Sequence, residues 1–166
     1  LGGDATGKTA YEDALNLLKN SDEYDFNLLL LPGIVDHYSN HQAIATKAID
    51  IAEDRGDCFV VVDPVPRGFG VSDATTRAEA RDTNYAAMYY PWVQIADNQV
   101  GTNVWVPPSV VIPGVYAFND KVSQPWFAPA GLNRGGLDTV IQAFRKLTQA
   151  NRDTLYESNV NPIATF

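Results

Sequence analysis

The chain has almost no cysteine. Cys58 stands alone in the apolar run Cys58-Phe59-Val60-Val61-Val62, so a disulfide within the chain is excluded and a buried thiol is the simple reading. Histidine is scarce too: His37 and His41 are the only two. No apolar run approaches the ~20 residues that a membrane-spanning helix needs. Positive charge is short. Twelve Lys and Arg face twenty Asp and Glu, a formal net charge of -8, which argues against nucleic acid as the main partner. Low-complexity tracts and internal repeats are missing as well.

What is present is a globular composition, 45% hydrophobic and 19% charged over 166 residues, enough for one domain with a real core. The charge is uneven. Residues 1–100 hold 16 acids and 7 bases, whereas residues 101–166 hold 4 acids and 5 bases. The two parts can therefore face different neighbours.

Apolar runs and helical spacing alternate along the first half. A helix is expected over about Lys8–Lys19, with Ala10, Ala14, Leu17 and Leu18 as its inward stripe. Phe26–Leu31 reads as a strand covered on both faces, closed by Pro32-Gly33. Ser39–Arg55 is a second helix with Ile44, Ala48, Ile51 and Ala52 inward, stopped at Gly56. Cys58–Val62 is the next buried strand, halted by Asp63-Pro64. Asp73 caps a helix reaching about Asp82. Ala86–Tyr90, Val93–Ala96 and Asn103–Val106 read as strands, and Leu137–Glu157 as a helix with Leu137, Val140, Ile141, Phe144 and Leu147 on one stripe. Alternating strands and helices predict an α/β domain with a parallel sheet flanked by helices.

Residues 89–136 differ in character. They hold all three tryptophans and most of the prolines. Large rings around proline-fixed bends suggest a rigid keystone with its rings buried, and nothing there looks like a charged catalytic centre. In order come Tyr90-Pro91-Trp92, Trp105, Val106-Pro107-Pro108-Ser109, Gly114-Val115-Tyr116-Ala117, Asn119-Asp120 and Trp126-Phe127-Ala128-Pro129-Ala130-Gly131. Pro107-Pro108-Ser109 starts a helix, which Pro113 is expected to kink.

This ordered set resembles the signature region of contractile phage tail sheath proteins. The resemblance implies an α/β fold of subtilisin-like topology, with a sheath core over residues 1–133. It further implies that 134–166, as a helical segment, opens a second, innermost domain. In that family longer parts flank this region, so the chain is expected to be a fragment. The implied function is structural, without enzyme activity, cofactor or metal. Identical subunits form hexameric rings stacked helically around a tail tube, meet baseplate and tail terminator proteins, and contract to drive the tube through the host envelope. The implied place is the virion, after assembly in the host bacterial cytoplasm, with no nucleic acid partner and no membrane insertion. Arg145, Lys146 and Arg152 are the expected tube-facing cations.

Three other motifs compete. Gly2-Gly3-Asp4-Ala5-Thr6-Gly7-Lys8-Thr9 matches the phosphate-cradling G-x-x-x-x-G-K-[ST] pattern at every fixed position, and Val60-Val61-Val62-Asp63 could supply its magnesium-side acid. It makes a nucleotide-binding protein the alternative, although a P-loop must hang from a buried strand and only Leu1 precedes Gly2 here. His37 and His41 have the spacing of zinc ligands but lack the glutamate of H-E-x-x-H. Ser109 at a helix start faintly echoes a serine nucleophile, without a recognisable histidine and acid, and reads better as a cap.

Overall fold

The computed structural model describes residues 3–165. Helix α1 spans Ala5–Leu17, strand β1 Leu28–Val35, α2 Ser39–Arg55, β2 Phe59–Asp63, α3 Val71–Glu79 and β3 Ala86–Tyr90. Strands β4 (Val93–Asp97) and β5 (Thr102–Val106) follow. A single 3-10 turn at Pro108–Val110 leads into α4 (Ile112–Val122), and β6 (Val140–Ala143), α5 (Gln149–Glu157) and β7 (Val160–Pro162) close the order.

β1, β2, β3 and β7 form one parallel sheet in that order. Each crossover therefore moves one place in the same direction. Crossovers of one hand moving one way put their helices on one face. The core obeys this: Ile44 and Ala48 of α2, Ala74 and Ala78 of α3 and Leu155 of α5 share one cluster, with Leu15 of α1. The other face carries a separate antiparallel sheet, β5-β4-β6, together with Val111 and Ile112 at the start of α4. Alternation along β2 feeds both layers, Val60 and Val62 to the helices and Val61 to the small sheet. Two covered faces explain why β2 reads as an unbroken apolar run.

α2 matches its expected bounds. Ile44, Ala48, Ile51 and Ala52 are each fully buried, and Gly56 ends the helix at φ 70°. Arg55 then ties α2 to the end of α1, donating to the carbonyls of Leu18 (2.6 Å) and Tyr24 (2.8 Å) while paired to Asp57 (2.8 Å).

Several elements depart from expectation. α1 starts earlier, because the Asp4 carboxylate accepts from the Gly7 N–H (2.6 Å) and caps it there. Its inward face is Tyr11, Leu15 and Leu18; Ala10, Ala14 and Leu17 face solvent. β1 continues through Pro32-Gly33 with a register shift between Leu30 and Val35, and Gly33 takes φ 91°. Asp73 lies inside α3 and reaches back to the Gly70 N–H (2.9 Å), so the helix begins at Val71 and ends at Glu79. Pro113 falls in the first turn of α4, where it starts the helix and kinks nothing.

The largest correction is Leu137–Glu157. It is no single helix: Val140–Ala143 forms β6 against β4, and α5 begins only at Gln149. Thr148 fixes that start by accepting from the Asn151 N–H (3.2 Å). Residues 134–166 thus supply β6, which pairs with β4, and β7, which pairs with β3.

Candidate assembly surface

Two buried polar centres hold the upper ends of the parallel strands. Asp36, fully buried just after β1, accepts from Arg77 Nε (3.0 Å) on α3 and from Arg81 Nη2 just beyond it. Arg81 also reaches the Thr46 hydroxyl (2.6 Å) and the Gln42 carbonyl (3.2 Å) on α2. Asp63, buried at the end of β2, accepts from both the backbone N–H (3.0 Å) and the hydroxyl (2.6 Å) of Ser109. Burial pushes the Asp63 carboxyl up to about 6, and the two Ser109 bonds oppose the rise. On the face of β3 toward the small sheet, the Tyr89 and Tyr116 hydroxyls lie 2.7 Å apart, and burial raises both phenols.

These contacts settle the competing motifs. Ser109 spends its hydroxyl on a carboxylate, and the Nδ1 atom of buried His41 accepts from the Val35 N–H (2.9 Å), so Ser109 and His41 are committed elsewhere than to each other. His37 packs on Phe69, ring centroids 4.4 Å apart. Among the described residues no group of three His, Cys, Asp or Glu side chains could hold a metal ion. Gly2 of the phosphate-type motif lies outside the described residues. From Ala5 onward it is helix, not loop: Thr9 donates to the Ala5 carbonyl (3.0 Å), Lys8 pairs with Glu12 (3.5 Å), and Asp4, the N-cap, sits at the end where a phosphate would have to go. A carboxylate there repels a second anion, and nothing supports the nucleotide reading.

The signature residues divide into a buried and an exposed set. Pro91, Pro107, Pro108 and Ser109 are buried. Trp92 is half-buried and donates to the Val65 carbonyl (2.8 Å). Trp105, also half-buried, meets Phe144 edge-on at 5.2 Å, with the Arg67 guanidinium 5.9 Å from each ring. Then the pattern reverses. Gly114, Asp120, Ala130 and Gly131 are exposed, Pro129 is half-buried, and Trp126 is 79% exposed. The expectation of a keystone with its rings buried is thereby corrected for Trp126 and met only in part by Trp105.

Exposed large apolar side chains concentrate here: Val110, Phe118, Val122, Trp126, Phe127 and Leu132, all within 23 consecutive positions. The Trp126 and Phe127 rings adjoin, their centroids 5.6 Å apart. Arg145 and Lys146 are exposed on the segment between β6 and α5, whereas Arg152 is half-buried in α5 and donates to the Leu147 carbonyl (3.0 Å). The burial split could not be read from the signature, because Trp92 and Trp126 look alike in sequence.

The chain is thus an α/β domain whose buried polar groups brace its strands and which keeps a run of apolar side chains in solvent. Residues 7–166 match the phage tail sheath protein central domain, and the chain belongs to that family. It is 35% identical over 133 residues to the tail sheath protein of Enterobacteria phage T4, covering 69% of this chain and 20% of that protein. Against the tail sheath protein of Vibrio phage KVP40 it is 40% identical over 85 residues (51% and 12%), and against that of Salmonella phage ViI 25% over 161 residues (92% and 25%). The chain spans about an eighth to a quarter of the length of these relatives. The family is a structural one, that of phage tail sheath proteins.

Proposed function

We propose that the polypeptide containing this chain is the sheath subunit of a contractile phage tail. It polymerises in hexameric rings around a tail tube, within the virion, and contracts to drive the tube through the host envelope. One observation carries this reading beyond family membership. The residues that resemble the family signature end in a stretch dense in exposed apolar side chains, among them Trp126 at 79% and Leu132 at 80%, and such a stretch suits a protein neighbour. Work is then done by exchanging one packing of subunits for another, without nucleotide. Baseplate and terminator proteins bound the polymer at its ends.

In this reading residues 134–166 lead toward the tube. Arg145 and Lys146 face it from their exposed segment, and Arg152 secures the end of that segment through the Leu147 carbonyl. Exposed pairs contribute only ~0.2–1 kcal/mol each, weak enough to release and additive over many subunits. Negative-stain microscopy of the full-length polypeptide with purified tail tubes tests the proposal. Sheathed tubes with a helical lattice are expected; bare tubes beside a monodisperse protein would contradict it.

A further inference from the structure

The loop after α4 is built, not slack. Asn119, 2% exposed, donates from Nδ2 to the Phe127 carbonyl (2.8 Å) and so clamps the loop to the helix. The Arg134 guanidinium lies 4.0 Å over the Phe127 ring. Gly131 turns the chain at φ 80°, and its carbonyl accepts from the Gly135 N–H (2.8 Å). Gly135 approaches so closely that a Cβ there would lie 2.9 Å from the Ala130 Cα. Yet this rigid loop holds Trp126 79% and Leu132 80% in solvent. A pre-organised tryptophan loses little entropy on binding, which is what a dominant contact residue requires.

A matching cavity lies elsewhere on the same chain. Over the outer face of α1 is an open cleft of about 660 Å³, lined by Gly3, Thr6, Gly7, Ala10, Tyr11 and Ala14, with Asp4 at its edge. Its glycines and alanines, Gly3, Gly7, Ala10 and Ala14, leave the helix face open to a large apolar ring. Asp13 and Leu17 continue the exposed arc of α1. Charge is complementary. Residues 3–25 hold six acids and two bases, whereas residues 110–135 hold two bases, Lys121 and Arg134, and one acid.

We propose that this loop is the knob of a head-to-tail contact: Trp126 of one copy enters the α1 cleft of a second copy, with Lys121 beside the acidic rim that includes Asp13. Two different patches meeting make a heterologous interface, the kind that propagates into rings or helical polymers. The inference rests on the sheath reading and assigns two of its contact surfaces. It also gives the outward Ala10, Ala14 and Leu17 a use that the core does not.

The test uses the full-length polypeptide, with polymer measured by sedimentation and microscopy and the unassembled subunit by thermal melting. Trp126→Ser, which empties the knob, and Ala10→Trp, which fills the cleft, should each lower the polymerised fraction at least tenfold without changing subunit melting. Lys121→Glu and Asp13→Lys should each weaken assembly, most at low salt, and together restore it. Normal polymer from Trp126→Ser or Ala10→Trp would overturn the contact, as would a charge pair that fails to restore assembly. A lower melting temperature of the unassembled Trp126→Ser subunit would also overturn it, because another segment of the same polypeptide would then cover the loop. Absence of polymer from the unmodified protein would defeat the sheath reading itself and this contact with it.

Discussion

Replacing Asp36 by alanine removes the single anion on which α3 is pinned to β1. Asp36 is fully buried and its two carboxylate oxygens serve Arg77 Nε and Arg81 Nη2 separately. The side chains of those arginines are only 20% and 16% exposed, so neither recovers full hydration when the partner goes. Arg81 Nε already lacks a partner, which makes further loss expensive. Breaking a buried pair from one side costs about 3–5 kcal/mol. At ~2–4 °C per kcal/mol for a chain of this size, the melting temperature should fall by roughly 6–20 °C. Asp36→Asn keeps the shape and one acceptor, and should lie between the two. Thermal and urea unfolding of each variant measure both quantities. A fall below ~2 °C for Asp36→Ala would refute the claim that this centre braces the sheet.

Three further outcomes follow from the same geometry. Burial raises the Asp63 carboxyl to about 6, above the ~3.9 of an unfolded chain, so the folded state binds the extra proton between those values. Its contribution to stability is therefore fully present below about pH 4 and is lost as pH rises through 6; Asp63→Asn should flatten that part of the melting profile relative to the parent. Gly114→Ala should stabilise α4 by about 0.5–1 kcal/mol in denaturant unfolding, since a Cβ there meets nothing within 4 Å. Trp126→Ala should leave unfolding of the isolated chain within about 0.5 kcal/mol of the parent, whereas Ile51→Ala, wholly buried in α2, should cost about 2–5 kcal/mol.

Legibility followed the range of the interactions involved. α2 was readable from end to end because its stripe, its length and the stop at Gly56 are all local. β3 was readable for the same reason, an apolar run of strand length between turns. α1 misled because it carries two apolar arcs. Ala10, Ala14 and Leu17 share helical spacing, but Tyr11, Leu15 and Leu18 hold the larger area and win the core. Residues 137–157 misled through coincidence: Leu137, Val140, Ile141 and Phe144 fit a helical stripe, yet Val140, Gln142 and Ala143 pair with Ile95, Gln94 and Val93 of β4, with Ile141 at the register shift, and the pairing decided. The Asp36 centre joins residues 41 and 45 positions apart, and the Asp63 to Ser109 bonds span 46. No local pattern carries such distances. The signature residues themselves were legible as a set, but which of them face outward depends on the loop that Asn119 and Gly135 close.

Hydroxyl-radical footprinting of Trp126 in the full-length polypeptide, before and after assembly on tail tubes, bears most directly on the claim that this domain acts through its exposed signature surface. Trp126 should be readily oxidised in the unassembled subunit, as its 79% exposure requires, and become protected on assembly while half-buried Trp92 changes little. Equal oxidation of Trp126 in both states, or protection already complete in the unassembled subunit, would contradict it.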